Sequence, residues 1–374
     1  MENVGSKIQT VKREVGSLTG GSWQSKFPSP GPLPRGEGEP FAVPKQFTDQ
    51  SHLPIDWGEE DGEVSLGIIM PANGEWMERL KKFAAESDRG KTFLALDLDG
   101  TALLEDQGKV FISSSVEKGV KAIHDLNIPI ILNTLRFPLS VMTTVGHAWY
   151  HITDTPILTV LLNGSVLGYI KCVEDELHYE EMAAFPLSRR EIQEVLDGLS
   201  QLLKAGIDDI LLFSYPRDWK EGEILWTPRE DRVRALEKKF VSASRITSCN
   251  IETLAEGLFA REICMASLFI DRPEDSLMAY QHTRRNNFFT AKGVNKSSGL
   301  RAVSDRLNLA PEHALGAGDT EMDSFLAEVG FAVIVGKARL SFRGLKETIR
   351  VPTPLELGEL IEAYAGLLKQ KAVA

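Results

Sequence analysis

The chain has 374 residues, of which 43% are apolar and 25% charged, and its formal net charge is −11 at pH 7. This length and composition predict a globular protein with room for two ordinary domains. The acidic balance excludes a general nucleic-acid binder, which would carry a basic face. No apolar run approaches the ~20 residues that are needed to span a bilayer.

The N-terminus and the cysteines indicate the compartment. No basic stretch followed by an apolar one opens the chain, so no signal peptide is predicted. The cysteines form neither a CxxC pair nor an even set, which fits a reducing environment in which they are buried small side chains. They are Cys172, Cys249 and Cys264. We therefore expect a cytoplasmic protein that has neither a membrane nor a nucleic acid among its partners.

Residues 1–62 differ in composition from the rest of the chain. Six prolines between positions 28 and 44 alternate with glycines and charged residues, and such a segment cannot build a core. We expect a disordered or loosely packed extension there, with a partner-binding arm as the less favoured interpretation. Beyond it, apolar residues recur at helical spacing over 75–86, which predicts an amphipathic helix.

Strands and helices alternate from residue 93 onward. Apolar runs at 93–96, 128–133 and 157–162 predict buried parallel strands. The segments 113–126 and 138–150 predict helices, the first with Ser114 or Ser115 near its N-cap. This alternation is typical of an α/β fold with a doubly wound, mostly parallel Rossmann-like sheet. Ligands bind at the carboxyl ends of strands in such sheets, and Asp97, Thr134 and Asn163 follow those ends.

A second α/β unit interrupts this pattern. Strands are predicted at 168–173, 209–214 and 265–271, and helices at 188–205 and 230–242. The first pattern then returns with a helix at 296–307, strands at 314–317 and 331–335, and a C-terminal helix at 354–369. The predicted division is a core of residues 63–164 and 285–374 around an inserted α/β cap of residues 165–284.

The segment Asp97-Leu98-Asp99-Gly100-Thr101 carries the first chemical signal. Because side chains alternate along a strand, Asp97 and Asp99 are predicted to project to the same side. Two like charges in one small space need a cation or a proton to relieve them. The segment therefore indicates a divalent-metal site, a phosphoryl-transfer site, or both.

Further polar residues converge on the same edge of the predicted sheet, namely Thr134, Lys296, Asp319 and Asp323. In phosphoryl transfer one carboxylate can attack phosphorus, while a second can protonate the leaving oxygen and then activate water. A hydroxyl and a lysine can hold the non-bridging oxygens. The remaining carboxylates can hold Mg²⁺, which prefers oxygen ligands.

In order and spacing, these residues resemble the four motifs of the haloacid dehalogenase superfamily. The motifs are Asp97-Leu98-Asp99-Gly100-Thr101, Thr134, Lys296 and Gly318-Asp319-Thr320-Glu321-Met322-Asp323. The insertion between the second and third motifs resembles the cap of the Cof-type, type IIB branch, which includes many sugar-phosphate phosphatases. Local agreement comes from Leu162-Asn163-Gly164, Gly293-Val294-Asn295-Lys296 and Gly330-Phe331-Ala332-Val333.

The resemblance implies a role for each of these residues. Asp97 is expected to be the nucleophile and Asp99 the general acid/base. The expected phosphate-binding residues are Thr134, Arg136 and Lys296, with Asn163 as a substrate contact. The expected Mg²⁺ ligands are Asp97, the backbone carbonyl of Asp99, Asp319 and Asp323, the last of which ligates the ion or orients a metal-bound water. An acid at position 99 suits phosphatases and phosphomutases and disfavours P-type ATPases and dehalogenases.

Two positions depart from the family pattern. Thr134-Leu135-Arg136 stands where many relatives have Thr-Gly-Arg, although Arg136 remains available to phosphate. Met322 stands where the Cof-type pattern usually has Asn, which removes one polar group close to the metal ligands.

Other motifs indicate chemistry more weakly. His147 and His151 lie four apart on a predicted helix, a spacing that can bind zinc, but no third ligand is evident. The segment 293–297 lacks the first glycine of a nucleotide-binding P-loop. Aromatic and basic residues at 214–220 and 272–273 of the predicted cap could grip a sugar phosphate, although solvated turns are the commoner role.

The sequence thus predicts a Mg²⁺-dependent phosphatase whose substrate is a small phosphorylated metabolite, expected to be a sugar phosphate. Two alternatives stay open. One is a phosphomutase, which would move phosphate between sugar positions. The other is a non-catalytic phosphometabolite-binding or scaffold protein, which Met322 and the altered Thr-Leu-Arg loop favour.

Overall fold

The computed structural model describes residues 73–106, 109–270, 288–338, 340 and 344–373, which form fifteen strands and nine α-helices. The strands are β1 Leu94–Leu96, β2 Leu103–Asp106, β3 Lys109–Ile112, β4 Ile130–Asn133, β5 Ile157–Leu161, β6 Val166–Val173, β7 Glu176–Ala184, β8 Ile210–Pro216, β9 Glu223–Thr227, β10 Ala243–Ser248, β11 Ile263–Ile270, β12 Phe288–Phe289, β13 Leu315–Gly318, β14 Phe331–Val335 and β15 Glu347–Val351. The helices are α1 Asn73–Glu86, α2 Ser114–His124, α3 Pro138–Val141, α4 His147–Thr153, α5 Arg189–Lys204, α6 Val233–Lys239, α7 Ile251–Phe259, α8 Lys296–Arg306 and α9 Pro354–Val373.

The larger sheet has eight strands in the order β15-β14-β13-β1-β4-β5-β6-β7. Its first six strands pair in parallel, and β6 and β7 add to one edge in antiparallel fashion. Strand β1 lies between β13 and β4, where Leu96 is paired with Ala317 on one side and Leu132 on the other. This is the point where the strand order reverses, so the carboxyl end of β1 opens into the crevice that such sheets use for ligands.

Alternate residues of β1 are buried on opposite faces of this sheet. Leu94 and Leu96 belong to a core cluster that includes residues of α1, α2 and α9. Phe93 and Ala95 belong to a second cluster, which includes Leu300 of α8. Because helices cover both faces, the strand is wholly buried, as its apolar run predicts. The predicted fold class, a doubly wound and mostly parallel α/β sheet, is confirmed.

A second sheet has five strands in the order β10-β9-β8-β11-β12. Helices α5 and α7 pack on one face of it. The other face carries Phe213, whose ring makes edge contacts with Phe240 and Phe269 at 5.3 and 5.2 Å. On that same face Tyr215 of β8 approaches Phe137, which lies in the loop after β4, with 5.5 Å between ring centroids. This sheet is the inserted cap of the fold.

Two features differ from the sequence prediction. Residues 166–184 pair with the larger sheet as β6 and β7, although the sequence assigns them to the cap. The predicted helix at 138–150 is interrupted by a wider turn over 142–146. There the hydroxyls of Thr143 and Thr144 donate to the carbonyls of Leu139 and Ser140, and such bonds to the preceding turn bend helices. The division into domains stays a prediction.

Smaller points complete the comparison. Helix α2 is capped by Ser113, whose hydroxyl accepts from the backbone N–H of Val116, and neither Ser114 nor Ser115 is the cap. The predicted extension at 1–62 and the candidate residues Arg272 and Pro273 lie outside the described residues. Among the residues described, no helix is both long enough and apolar enough to cross a membrane.

Candidate active site

The turn after β1 places Asp97 and Asp99 in different environments. Asp97 is 5% exposed, and its backbone N–H donates to the carbonyl of Ala317 at 3.0 Å. The extended backbone ends there, because residues 98–102 form a wide turn in which Gly100 has φ 74°. The side chain of Asp99 is 56% exposed and pairs with Arg136. Asp97 is thus buried, whereas Asp99 is exposed and held by Arg136.

Gly100 is required by the close approach of another acid. A Cβ at this position would lie 2.2 Å from Oδ2 of Asp319, and the positive φ disfavours any side chain. The hydroxyl of Thr101 lies 3.2 Å from Oδ2 of Asp97 and 3.3 Å from Oδ1 of Asp319. The turn after β1 thus holds Asp319 against Asp97.

Lys296 is the cation at the centre of the site. Asn295 caps α8, which begins at Lys296, and the lysine side chain is only 2% exposed. Its Nζ donates to Oδ1 of Asp97 and to Oδ1 of Asp323, both at 2.6 Å. Burial alone would lower the pKa of Lys296, but the Asp323 and Asp97 carboxylates outweigh burial and raise it. The lysine therefore stays charged.

Asp323 is fully occupied by protein donors. While Oδ1 accepts from Lys296, Oδ2 accepts from the backbone N–H groups of Asp319 and Thr320 at 2.9 Å each. The hydroxyl of Thr320 is also 3.2 Å from Oδ2. This carboxylate consequently fixes the loop that carries Asp319, and it has little capacity left for a direct metal bond.

The carboxylates are poorly compensated electrostatically. Burial raises the pKa of Asp97 well above its usual range, against the opposing effect of Lys296, and Asp323 and Asp319 raise it further. Burial, with Asp323 beside it, raises the pKa of Asp319 to about 7. Three carboxylates thus surround one ammonium group, and a second positive charge would stabilise their ionised forms.

The same group of carboxylates could hold a divalent cation through Asp97 and Asp319, with Asp323 supporting the loop of Asp319. Oxygens of Asp97, Asp319 and Asp323 all lie within 4.8 Å of one another. Within the described ranges this is the only such group of three or more His, Cys, Asp or Glu side chains, so His147 and His151 belong to none. Hard oxygen donors with an excess of negative charge suit a divalent cation.

The neighbouring strand β4 supplies Thr134 and a residue that the sequence analysis missed. Thr134 is buried, and its hydroxyl accepts from the backbone N–H of Arg136 at 3.2 Å, which leaves the hydroxyl proton free to donate. Asn133 is fully buried and donates from Nδ2 to the carbonyl of Lys296 at 3.0 Å. A polar residue that ends an apolar strand, directly before Thr134, is the signal that could have identified it.

Asn163 and Arg136 occupy the rim of the site. The backbone N–H of Asn163, a residue with φ 56°, donates to the carbonyl of Thr134 at 3.4 Å and so joins the ends of β4 and β5. The guanidinium of Arg136 donates to Asp99 at 2.8 and 2.5 Å. The structure thus gathers Asp97, Asp319, Asp323 and Lys296 in one cluster and places Asp99 with Arg136 beside it.

Comparisons with known proteins give one family. A family model described as haloacid dehalogenase-like hydrolase matches residues 94–343. A phosphatase of the haloalkanoate (HAD) enzyme superfamily from Bacteroides thetaiotaomicron superposes with a TM-score of 0.51 at 17% identity, over 75% of this chain and 97% of its own. A haloacid dehalogenase-like hydrolase from B. subtilis gives 0.51 at 17% identity, over 73% and 98%. The comparison with curated proteins gave no match.

Proposed function

Because the chain belongs to the haloacid dehalogenase-like hydrolase family, we propose that it is a Mg²⁺-dependent phosphatase acting on a small phosphorylated metabolite. The observation that carries the proposal is the buried cluster of Lys296 with Asp97 and Asp323 at the end of the central strand. A buried lysine among three carboxylates at a ligand-binding crevice favours a functional site, and phosphoryl transfer can use such a set.

In the first half of the reaction, an oxygen of Asp97 attacks phosphorus as the ester P–O bond breaks. The electron pair of that bond passes to the leaving oxygen, which takes a proton from the carboxyl group of Asp99. Lys296 and the hydroxyl of Thr134 hold the non-bridging oxygens while negative charge shifts among them. The products of this half are the free alcohol and an acyl phosphate on Asp97.

In the second half, Asp99 acts as a base. Its carboxylate takes a proton from water, the water oxygen forms a bond to phosphorus, and the bond from phosphorus to Asp97 breaks. Asp97 returns as a carboxylate and inorganic phosphate leaves. Mg²⁺, held by Asp97, Asp319 and the backbone carbonyl of Asp99, would supply positive charge for the phosphoryl oxygens. Asp323 holds the Asp319 loop and Lys296 in place.

The sugar phosphate as substrate class is part of this proposal, and it is supported by the resemblance of the cap to that of the Cof-type branch. The cap approaches the motif that carries Thr134 and Arg136, since Tyr215 lies on Phe137. A cap that closes over the site at this position can determine which leaving groups are accepted. The cytoplasmic location stays a prediction.

The test is phosphate release from a panel of sugar phosphates with Mg²⁺ and with a chelator. We expect turnover that needs the metal, and Asp97→Asn should lower kcat by about 10³-fold or more, as loss of an essential nucleophile does. Asp125→Asn is the matched control, because Asp125 pairs with Lys121 on the surface of α2. Wild-type protein that releases no phosphate from any monoester would overturn the proposal.

The same assay separates the two alternatives. A phosphomutase would convert the sugar phosphate into an isomer and release little inorganic phosphate. A non-catalytic binding protein would bind the compound with no turnover, and its Asp97→Asn variant would bind it still.

A further inference from the structure

Arg136 makes a two-point contact with the acid/base residue of the proposed reaction. Its Nε donates to Oδ2 of Asp99 at 2.8 Å, and its Nη2 donates to Oδ1 at 2.5 Å. Both carboxylate oxygens of Asp99 are therefore held by one planar group. The fork geometry of a guanidinium is suited to this, and the point charge of a lysine is not.

Arg136 is itself fixed by three other contacts. Its Nη1 donates to the hydroxyl of Thr144 at 2.7 Å, and its carbonyl accepts from the backbone N–H of Leu162 at 3.2 Å. Its own N–H donates to the hydroxyl of Thr134. The arginine side chain is 15% exposed, whereas that of Asp99 is 56% exposed. The less exposed side chain thus holds the more exposed one.

Asp99 has no other described side-chain contact that would fix its carboxylate. It lies in the turn next to Gly100 and faces solvent, where a free side chain would occupy several rotamers. A general acid must be within hydrogen-bonding reach of the leaving oxygen when the ester bond breaks. A device that restricts the rotamers of Asp99 would act directly on that step.

We propose that Arg136 is a positioning residue that holds Asp99 for proton transfer, and that this is its main role in place of binding phosphate. The inference rests on the proposed function. In the first half-reaction the oxygen of Asp97 bonds to phosphorus, the ester bond breaks, and the leaving oxygen takes its proton from Asp99. Asp99 carries this proton on one oxygen while its other oxygen accepts from the guanidinium, and Arg136 forms and breaks no covalent bond in this step.

The leaving group distinguishes the two roles. An alkoxide leaving from a sugar phosphate needs the proton of Asp99, whereas p-nitrophenolate is stable enough to leave without it. A residue that positions the acid should therefore matter for the first substrate and little for the second. A residue that binds phosphate should matter equally for both, because both carry the same phosphoryl group.

The experiment compares kcat/KM for p-nitrophenyl phosphate and for the sugar phosphate that the wild-type protein hydrolyses fastest. For Arg136→Ala we expect a fall of about 10²-fold or more with the sugar phosphate, the size of effect that acid catalysis provides, and less than about 10-fold with p-nitrophenyl phosphate. Arg136→Lys should recover only part of the loss. Equal losses with the two substrates would overturn the inference.

Two further variants keep the test secure. Thr144→Val removes the acceptor for Nη1 of Arg136 at an exposed position, so it should give a weaker loss with the same selectivity even where Arg136→Ala fails to fold. Arg301→Ala is the control, because Arg301 makes a similar contact with Glu328 outside the site. This variant should leave kcat/KM unchanged for both substrates. A Thr144→Val enzyme without selective loss would contradict the inference.

The two proposals fail in distinguishable ways. If wild-type protein releases phosphate from neither substrate, the proposed function is wrong and the positioning role falls with it. If the wild type is active and Arg136→Ala loses both activities equally, only the positioning role is wrong, and Arg136 is then a phosphate ligand.

Discussion

Lys296 contributes both to the stability of the site and to its proposed chemistry. A buried ammonium group is costly unless it is paired, and here it is paired with two carboxylates at 2.6 Å. The same contacts leave Asp97 and Asp323 dependent on the lysine, since both carboxylates are buried as well. The side chain that is proposed to bind the phosphoryl group therefore also stabilises the fold of the site.

Replacing this cation should destabilise the protein. Lys296→Met keeps most of the volume and leaves two buried carboxylates without their partner, so we expect a loss of about 3 kcal/mol in the free energy of unfolding. Urea denaturation with a chelator present measures it. The second variant, Lys296→Met with Asp323→Asn, should recover part of the loss because one uncompensated charge is removed.

The control for this prediction is Lys121→Met. Lys121 pairs with Asp125 on an exposed face of α2, where ion pairs contribute little. We expect a far smaller change in the free energy of unfolding than at position 296. A Lys296→Met protein that is as stable as the wild type would contradict it.

Individual site residues could be predicted where their position after a strand or at the start of a helix is visible in the sequence. Asp97, Lys296, Asp319 and Asp323 follow strands or open a helix, and the structure brings them into contact. The partnership of Asp99 with Arg136 could not be predicted, because it depends on the turn at 98–102 and on the path of the loop after β4. Asn133 was missed because its role is a contact with a carbonyl far along the chain.

At the scale of elements, the capping box at the start of helix α5 links the inserted cap to the site. The hydroxyl of Ser188 accepts from the N–H of Glu191, and the Glu191 carboxylate accepts from the N–H of Ser188. The other oxygen of Glu191 accepts from the N–H of Lys292, in the segment before α8. The first turn of α5 is thereby hydrogen-bonded to the loop that precedes Lys296.

Removing the N-cap side chain of α5 should lower the free energy of unfolding by a predictable amount. Ser188→Ala leaves an N–H of the first turn unpaired and should lower the free energy of unfolding by about 1 kcal/mol. Ser200→Ala in the same helix is the matched control, because its hydroxyl only donates to the carbonyl of Leu196. Chemical denaturation of the two variants measures the difference, and equal stabilities would contradict the assigned role of Ser188.

For the whole molecule, periodicity predicted the central sheet and its helices but not the complete topology. The runs that became β1, β4 and β5 are mostly apolar, which makes them visible in the sequence. Strands β6 and β7 were assigned to the cap because the chain returns to the larger sheet in antiparallel fashion, a pairing that depends on contacts distant in sequence. The short strands β9, β10 and β15 have mixed burial and give weak patterns.

The central claim is that Asp97 carries the phosphoryl group during turnover. Borohydride reduces an acyl phosphate to an alcohol, so protein quenched with borohydride while hydrolysing its sugar phosphate should contain homoserine at position 97. Peptide mass spectrometry locates the change, and protein quenched without substrate provides the reference. We expect reduction at Asp97 alone. Phosphate release without any reduced residue, or with reduction at another acid, would contradict the claim.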